Sequence, residues 1–520
     1  MNPDLRKINW GLLNIVLIIL FIASLYGCPN INWNEKQDNT TKINTVLKLI
    51  NENYVDSVDM ASLIDNTIQQ TLNNLDPHSI YMSSKEVSTS MAEMKGSFEG
   101  IGVEFTIHQD TIIVVNIIPN GPSERKGLNA GDRIVSINEE NVAGIGITNQ
   151  DVIDKLRGVG GTQVNVGVKT KKSAIIKSVN ITRGKIPLHS LDVAYAIDPN
   201  IGYIKLNRFA ETTFQEFHTE LKKLKNENNI EALILDLRGN TGGYLDQAIK
   251  ILNEFFDENE LLVYTKGEAR KEKKYYSDRQ GQFKNGKICV LIDRYSASAS
   301  EIVAGAIQDN NRGDVIGERS FGKGLVQEQI PLNDGSLIRL TVSRYYTPSG
   351  RCIQKPYTNK EFADLAETNF IDSTKLFQTK DGDTVYEGGG ISPDIIINNN
   401  DREYPINIIQ LYNSEFFNEI AFNYVDNNRN LLTKTNYKEF QISQNDTDQI
   451  LNTITNWMTK NGYDTDSTLT LNSQIDQHKS DIIKRLQTLI IRQHWGWSEM
   501  HMFLNETDEI IISSLSLLKN

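Results

Sequence analysis

Two stretches of the chain combine a short apolar run with a predicted helix after it. Residues 287–293 are apolar and β-branched, which is typical of a buried strand, and residues 301–310 carry apolar side chains at helical spacing. Residues 233–237 form a second apolar run, which leads through a glycine-rich turn at 239–243 into a helix predicted over 245–256. Both runs therefore predict a strand that ends in a turn before a helix.

Residues 97–183 show a different pattern, in which apolar and polar side chains alternate over short segments. This alternation at 112–118, 133–138 and 164–168 predicts strands. Turn signals lie between them, and residues 151–156 are predicted to form a short helix. This part of the chain is therefore expected to be a compact β-rich insert.

Two further regions, one near the N-terminus and one at the C-terminus, are predicted to be helical. Residues 40–74 carry apolar side chains at helix-like steps, and the chain changes character again from Asp401 onward. An apolar stripe in this C-terminal region is formed by Ile475, Ile482, Leu486, Leu489 and Ile490, and continues with Trp495, Trp497, Leu515, Leu517 and Leu518. Such a stripe is usually buried in a core, and adaptor docking or self-association is the alternative.

The first residues of the chain pair positive charge with an apolar run. Arg6 and Lys7 precede residues 10–26, which are long enough for a tight membrane span and also fit an export signal. Leu25-Tyr26-Gly27-Cys28 resembles a lipoprotein cleavage site, so Cys28 is a candidate for lipidation. Because the charges precede the apolar run, the rest of the chain is expected to follow it across the membrane. The expected location is the periplasmic side of the cell envelope, with the N-terminal segment as the membrane anchor.

Composition and net charge argue against several classes of function. The chain has 520 residues, of which 39% are hydrophobic and 23% charged, a normal globular balance for about three or four domains. The formal net charge of -12 argues against nucleic acid or an anionic membrane surface as the main partner. The 3 cysteines give no disulfide framework, and the 7 histidines show no paired spacing for a metal site. No metal and no cofactor are therefore expected.

Candidate chemistry lies in two segments that contain no histidine. Tyr295-Ser296-Ala297-Ser298-Ala299-Ser300-Glu301 stands at a predicted strand-to-helix turn, where free backbone N–H groups and the positive helix end favour a developing oxyanion. Ser320-Phe321-Gly322-Lys323-Gly324 follows it. A serine hydroxyl needs a base to take its proton, and a lysine can be that base only as a neutral amine, which requires burial. The combination indicates a serine nucleophile served by a lysine.

Simpler interpretations exist for these residues. Ser298 and Glu301 also spell a capping box, in which Ser298 caps the helix. Lys323 alone is more typical of a solvated surface lysine. Residues 317–323 fit the start of a phosphate-binding loop, but a strand and not a helix is predicted after them. Residues 320–323 match a Ser-x-x-Lys pair, but the glycine inside that step argues against the helix on which such a pair normally sits.

Nine short stretches between about residues 45 and 394 are weak alone and highly specific together. They are residues 75–79, 98–102, 127–132, 156–158, 235–243, 295–301, 321–327, 346–351 and 388–394. In these stretches and in their order the chain resembles the C-terminal processing peptidases, also called tail-specific proteases.

The resemblance implies a fold and a set of catalytic residues. The implied fold is α/β and multidomain, with a ClpP/crotonase-like α/β protease core, an inserted PDZ domain, an N-terminal helical segment and a helical C-terminal extension. The middle serine of the run, Ser298, stands at the nucleophile position of the family. Lys323 stands at the position of the general base, and Gln327 at that of the residue that orients the lysine.

The resemblance also implies an oxyanion hole formed by the backbone N–H of Ala299 and that of Gly242 or Gly243, with the choice of glycine left open. A glycine turn before a helix can equally be scaffold without chemistry. One assignment has support independent of the resemblance. The four-residue step from Lys323 to Gln327 predicts both side chains on one face of a strand, since alternate residues share a face.

The β-rich insert resembles a PDZ domain, a module that binds a peptide as an added strand and holds its terminal carboxylate with backbone N–H groups. Gly100, Ile101, Gly102 and Val103 form the matching substrate-binding loop. Arg157 is implied, by resemblance to regulated members of the family, to couple the insert to the active site. A salt-bridged surface arginine is the alternative.

The expected organisation has a signal or membrane anchor at 1–28, an N-terminal helical region at 29–96, a PDZ domain at 97–183, a serine protease core at 184–400 and a helical extension at 401–520. The expected function is that of a serine endopeptidase that cleaves cell-envelope proteins near their free C-termini. The partner is left open between a second copy of the chain, in a homodimer, and an adaptor protein. The homodimer is considered because N-terminal helices can mediate dimer contacts in relatives. The alternative functions are a catalytically inactive PDZ scaffold and a serine hydrolase that acts on another ester or amide.

Overall fold

The computed structural model describes residues 39–170, 173, 175–356, 372–397, 404–463 and 471–519. The predicted anchor and its candidate lipidation site lie outside these residues. The chain divides into two compact units, Met1–Gln70 and Thr71–Asn520. The helical pattern predicted over residues 40–74 corresponds to two helices, Asn39–Asn53 and Met60–Asn73. The break between them ends where Asp59 accepts hydrogen bonds from the first backbone N–H groups of the second helix.

The elements of the described residues are as follows, in chain order. The helices are α1 (Asn39–Asn53), α2 (Met60–Asn73), α3 (Ser84–Lys95), α4 (Pro122–Arg125), α5 (Asn149–Leu156), α6 (Thr213–Asn228), α7 (Leu245–Leu252), α8 (Ala299–Asp309), α9 (Ile406–Asn413), α10 (Glu415–Leu432), α11 (Gln444–Lys460), α12 (Leu471–Gln477), α13 (Lys479–His494), α14 (Trp497–Asn505) and α15 (Glu509–Lys519). The strands are β1 (Ile80–Met82), β2 (Ser97–Gly100), β3 (Val103–His108), β4 (Thr111–Ile117), β5 (Arg133–Ile137), β6 (Glu140–Asn141), β7 (Gln163–Lys169), β8 (Lys177–Thr182), β9 (Gly184–Pro187), β10 (Leu191–Asp198), β11 (Ile201–Leu206), β12 (Ala232–Asp236), β13 (Leu261–Lys266), β14 (Lys273–Tyr276), β15 (Lys287–Ile292), β16 (Asp314–Gly317), β17 (Leu325–Pro331), β18 (Leu337–Tyr346), β19 (Asp372–Gln378), β20 (Thr384–Glu387) and β21 (Ile395–Ile396).

The core of the second unit is a six-stranded sheet in the order β10-β11-β12-β15-β16-β21. The β10–β11 pair is antiparallel and the other neighbours are parallel. Leu233 and Leu235 of β12 pack with residues of α6, α7 and α8 on one face, and Ile234 packs with α15 on the other. Because both faces are covered, β12 and β15 are apolar except for Asp236 and Lys287 at one end of each strand, as the sequence pattern predicted.

A second sheet lies beside this core and carries the loop of the candidate lysine. Its order is β1-β18-β13-β14, and β17 pairs with β18 off this path. The β17–β18 pair is antiparallel from Leu325 opposite Arg344 to Pro331 opposite Leu337. The strand predicted for residues 325–330 is therefore confirmed, and its N-terminal end places residues 320–324 next to the first sheet.

The β-rich insert has its own sheet, in the order β3-β4-β5-β7-β8, with β6 paired to β5. The predicted strands are confirmed, and α5 begins at a capping box between Thr148 and Asp151. β2 and β9 pair from Ser97 opposite Pro187 to Gly100 opposite Gly184. The chain thus enters and leaves the insert side by side. β3 lies at the edge of the sheet, next to α5, which leaves a groove between them.

Helices form the C-terminal extension, and Ile475, Ile482, Leu486 and Ile490 are buried in its core. The prediction that the apolar stripe continues through the last residues of the chain is wrong in one respect. α15 packs against the first sheet and not in the helical core, because its apolar face covers the side of β12 and β15 opposite α6, α7 and α8. The helix predicted to end at residue 256 also ends earlier, at Leu252.

Candidate active site

The predicted nucleophile lies in the turn between β15 and α8. Ser298 is the N-cap residue of α8, with φ 55° and ψ -110°. A positive φ is strained for a residue with a Cβ, so the surrounding contacts must hold it. Ser296 Oγ donates to the Leu237 carbonyl at 2.9 Å, and Ser300 Oγ donates to the Asn240 carbonyl at 2.8 Å. The two outer serines therefore fix the turn, and the middle serine is partly exposed.

The glycine turn after β12 packs directly against this serine. A Cβ at Gly242, where φ is +96°, would lie 2.8 Å from the Ser298 Cβ, so only glycine fits. The Gly242 N–H donates to Asn240 Oδ1 at 2.9 Å. The N–H groups of Gly243 and Ala299 donate to no acceptor in the described part of the chain. Of the two glycines that the sequence left open, Gly243 is therefore the one whose N–H has no acceptor among the described residues.

The candidate lysine does not lie in a strand, which corrects the prediction from its spacing. Lys323 precedes β17 by two residues, yet its Nζ donates to Gln327 Oε1 at 3.2 Å. The two side chains meet because of a loop and a bulge between Val326 and Gln327. The alternation of a regular strand does not bring them together. The flanking glycine allows close packing as expected, because a Cβ at Gly324 would lie 2.9 Å from the Gln354 nitrogen.

A buried glutamate joins the serine turn to the lysine loop. Glu301 is 0% exposed. Its Oε2 accepts from the backbone N–H groups of Ser298 (2.8 Å) and Lys323 (2.9 Å), and its Oε1 accepts from the Gly322 N–H (2.7 Å) and Ser320 Oγ (2.5 Å). Burial raises the pKa of this carboxyl, and the four donors oppose that shift. No hydrogen bond joins Ser298 to the lysine amine among the described residues, so the shared carboxylate fixes their relative position.

The electrostatic surroundings of the lysine favour its neutral form. Burial lowers the pKa of Lys323 from its ordinary 10.5, the charge of Arg339 lowers it further, and Glu301 and Asp76 oppose the shift. The imidazole of His78 is close enough to interact with this lysine. Burial, and then the charge of Lys323, lower the pKa of His78 to about 4. This imidazole is therefore uncharged at neutral pH.

Sequence reasoning assigned no role to the turn that carries His78, although residues 75–79 belong to one of the nine stretches. Asp76 is buried and accepts from the His78 N–H (2.8 Å), the Ser79 N–H (2.8 Å) and Ser79 Oγ (2.6 Å). Ser79 Oγ in turn accepts from the Thr341 N–H on β18 at 3.1 Å. That partner is 262 residues away in the chain, so no local pattern could predict the contact.

β18 also reaches the serine turn through a buried tyrosine. The Tyr345 hydroxyl donates to the Ser298 carbonyl at 3.1 Å, and the side chain is 1% exposed. Burial raises the pKa of Tyr345 well above its usual value, so the hydroxyl keeps its proton as a donor. Like Asp76, this residue was not found by sequence reasoning. Glu301 was predicted only as the capping-box partner of Ser298, whose N–H it accepts, and its contacts with the lysine loop were not predicted.

The predicted substrate-binding loop lies at one end of the groove between β3 and α5. Gly100, Ile101 and Gly102 are buried, and Val103 is half-buried. The carbonyls of Ile101 and Gly102 accept hydrogen bonds from within the insert, whereas their N–H groups donate to no acceptor in the residues that the structure covers. The loop and β3 line a cavity of about 1190 Å³.

Arg157 follows α5 and lines the same cavity. Its guanidinium carbon lies 4.3 Å from the centroid of the Phe98 ring, a cation–π contact. The structure thus places this arginine in the same groove as the loop of Gly100 to Val103.

Comparison with known families agrees with this arrangement. A model of peptidase family S41 matches residues 200–362, and a PDZ domain model matches residues 113–170. A model of the activating protease CtpB N-terminal domain matches residues 29–86, and a family of unknown function matches residues 408–496.

Individual proteins are similar over most of the chain. The carboxy-terminal-processing protease of Bartonella bacilliformis is 34% identical over 67% of this chain and 80% of its own length. The carboxy-terminal processing protease CtpB of Bacillus subtilis is 35% identical over 62% of this chain and 67% of its own. Among solved structures, the photosystem II D1 C-terminal processing protease is 25% identical over 69% of this chain and 93% of its own, with a TM-score of 0.36.

Together the family matches and the relatives define a serine-type peptidase that contains a PDZ domain. The chain belongs to the carboxy-terminal processing proteases, within peptidase family S41. The predicted fold class is confirmed as a mixed α/β protease core with a PDZ domain, N-terminal helices and a C-terminal helical extension. Of the helices in the described residues, none has the length and apolar character needed to cross a membrane.

Proposed function

We propose that Ser298, Lys323 and Gln327 are the catalytic residues of this peptidase. Ser298 Oγ attacks the carbonyl carbon of the scissile peptide bond, the neutral amine of Lys323 accepts the hydroxyl proton, and Gln327 orients the amine. One observation supports this most strongly. A half-buried lysine with a lowered pKa is held on a loop that shares the Glu301 carboxylate with a strained serine turn.

The tetrahedral intermediate carries negative charge on the former carbonyl oxygen. The N–H groups of Ala299 and Gly243 are the proposed donors to it, because both are unengaged within the described chain and Ala299 begins α8, whose N-terminal end favours negative charge. As the C–N bond breaks, Lys323 returns the proton to the leaving amine. Water then attacks the acyl ester with Lys323 again as the base, which releases the new carboxylate and restores Ser298.

The peptidase activity should rise with pH as Lys323 loses its proton. Because the pKa of Lys323 is lowered from 10.5, the rising limb of kcat/KM should lie below pH 10.5. The other base near the site is His78, whose pKa is about 4. A pH profile of the full-length chain and of His78→Asn separates the two bases. A limb near pH 4 that disappears in His78→Asn would assign the proton transfer to the histidine instead.

The proposed substrate is a protein whose free C-terminal tail binds in the PDZ groove. β3 is an edge strand with no partner on its groove side among the described strands, so an extended tail can add to it. The N–H groups of Ile101 and Gly102, which donate to no described residue, are suited to the terminal carboxylate. An internal segment of a protein has no carboxylate to offer, which favours cleavage near C-termini.

A substrate with an amidated C-terminus should be cleaved more slowly than the same protein with a free one. Loss of charge-assisted hydrogen bonds to the carboxylate costs about 1.5–3 kcal/mol, or roughly 10-fold to 150-fold in kcat/KM. Intact-mass analysis of an unstructured protein in both forms measures the ratio, with the Ser298→Ala variant as the blank. Equal rates would contradict tail recognition and favour a peptidase, or a hydrolase of another amide, that does not read the C-terminus.

We further propose that residues 1–28 hold the enzyme at the membrane on the periplasmic side of the cell envelope, where its protein substrates lie. Support comes from Arg6 and Lys7 ahead of the apolar run at 10–26. If the segment is cleaved as a lipoprotein signal, Cys28 carries the lipid. A homodimer or an adaptor protein is a proposed partner of the membrane-bound enzyme.

A further inference from the structure

The C-terminal extension packs against the PDZ domain beside the groove. Arg133 of β5 and Asp426 of α10 form an ion pair at 2.8 Å, with side chains that are 13% and 5% exposed. The ring centroids of His108, at the end of β3, and Phe422 of α10 are 5.1 Å apart. These contacts join the extension to the domain, and removal of one partner of the buried ion pair would be strongly destabilising.

The extension supplies a third wall of the groove, in addition to β3 and α5. The cavity is lined by Glu415, Glu419 and Phe422 of α10, and by Arg492 and Gln493 of α13. The three α10 residues are spaced four and three apart, so they share one face of the helix. A tail that adds to β3 would therefore lie against helices that belong to the extension and not to the PDZ domain.

Two side chains of α13 are suited to an extended peptide. Gln493 Oε1 is buried and accepts no hydrogen bond in the described residues, which is costly unless an occupant of the groove donates to it. Backbone N–H groups recur along an extended tail and can supply that donor. Arg492 is held beside the groove, because its guanidinium lies 4.0 Å from the Trp497 ring centroid and interacts with the charge of Glu104 on β3.

Acidic side chains lie at the end of the groove that is opposite the predicted substrate-binding loop of Gly100 to Val103. Glu415 is exposed, and the Glu419 carboxylate lies 3.7 Å from His108, the last residue of β3. If the tail pairs antiparallel to β3, its terminal carboxylate lies at the loop of Gly100 to Val103. Each residue of β3 then faces one tail residue, counted backwards from the carboxylate. The tail residue beside His108 is therefore about five to seven positions before the carboxylate.

We propose that the C-terminal extension is a specificity wall for the substrate tail, selecting a basic side chain about five to seven positions before the carboxylate through Glu415 and Glu419. The inference rests on the proposed tail-binding function and adds to it a class of preferred substrate. Residues 408–496, which match a family of unknown function, would then contact the part of the tail that the PDZ domain alone does not enclose.

The test measures binding of fluorescent peptides of about ten residues to the full-length chain carrying Ser298→Ala, which prevents cleavage. The peptides share the same apolar C-terminal residues and free carboxylate, and differ only in Lys or Glu about six positions upstream. We expect the Lys peptide to bind roughly tenfold more tightly. The added double substitution Glu415→Gln and Glu419→Gln should reduce this ratio to about twofold or less.

Glu439→Gln provides the matched control, because Glu439 is an exposed glutamate of the same extension that does not line the groove. It should keep the tenfold preference. Equal binding of the Lys and Glu peptides, or a preference that survives the double substitution, would overturn the specificity wall. Equal binding of free and amidated peptides is a separate result, because it would show that tail recognition itself fails.

Discussion

Replacing Lys323 by alanine should lower kcat/KM about 10³-fold and leave the fold intact, since a positioned general base contributes about 10²-fold to 10⁴-fold. The amine makes one hydrogen bond to a described residue, the 3.2 Å contact with Gln327, so its removal should change the melting temperature little. Intact-mass analysis of products from an unstructured protein with a free C-terminus measures the rate, and a thermal melt checks the fold.

Three further variants sharpen this test. Ser298→Ala should be as inactive as Lys323→Ala, and the double variant should be no worse than either, because residues that act as a unit are not additive. Lys323→Arg should also be inactive, since a guanidinium stays charged and cannot accept the proton. Lys355, whose amine lies 5.6 Å from the Phe321 ring, is the matched control, and Lys355→Ala should retain most activity. Cleavage near the wild-type rate in Lys323→Ala or Ser298→Ala would refute the proposed mechanism.

Glu301→Ala should cause the largest loss of stability among the site variants, about 3–5 kcal/mol in the free energy of unfolding. The substitution leaves the N–H groups of Ser298, Gly322 and Lys323 and the Ser320 hydroxyl without their buried acceptor. It also removes the link between the serine turn and the lysine loop, so kcat/KM should fall at least about 10²-fold even where the protein is folded. Denaturant titration and kinetics below the unfolding midpoint measure the two effects separately.

The conservative variant tests whether the charge or only the shape matters. In Glu301→Gln one carboxylate oxygen becomes an NH₂ group that faces two donors, so stability should still fall, although less than in the alanine variant. Glu328 is the control on β17, because it is partly exposed and pairs with Arg270 at 2.7 Å. Glu328→Gln should change the free energy of unfolding by about 0.5 kcal/mol or less. Wild-type stability of Glu301→Ala would show that the carboxylate does not hold the two loops together.

The elements around the site were predictable because each depends on residues that are close in the chain. Periodicity predicted β12, β15 and α8, and their observed ends lie within two residues of the predictions. The helix break near Asp59, the early end of α7 and the separate packing of α15 were not predicted. The break coincides with the cap that Asp59 provides for the second helix, which apolar periodicity does not show. The place of α15 is decided by what it packs against, because apolar spacing is the same for either partner.

The proximity of Lys323 and Gln327 was predicted, but the reason for their contact was not. Spacing predicted one face of a strand, and the observed contact arises from a loop and a bulge. Asp76, His78 and Tyr345 were missed because they reach the lysine and the serine turn from other strands and turns. Serine–lysine chemistry requires a lysine with a lowered pKa, so this property was expected from the sequence. The groups that lower the pKa of Lys323 were identified only from the tertiary structure.

The sequence by itself determined the local elements, the order of the parts and the residue types that can carry serine–lysine chemistry, because these depend on short-range periodicity and on the functional groups themselves. Only the tertiary structure decided that Glu301 bridges the two loops, that the Gly243 N–H has no acceptor in the described part of the chain, and that the C-terminal helices line the PDZ groove. The physical reason is that a hydrogen bond, a lowered pKa or a groove wall depends on distance in space, and residues far apart in the chain become neighbours only when the sheets and helices pack.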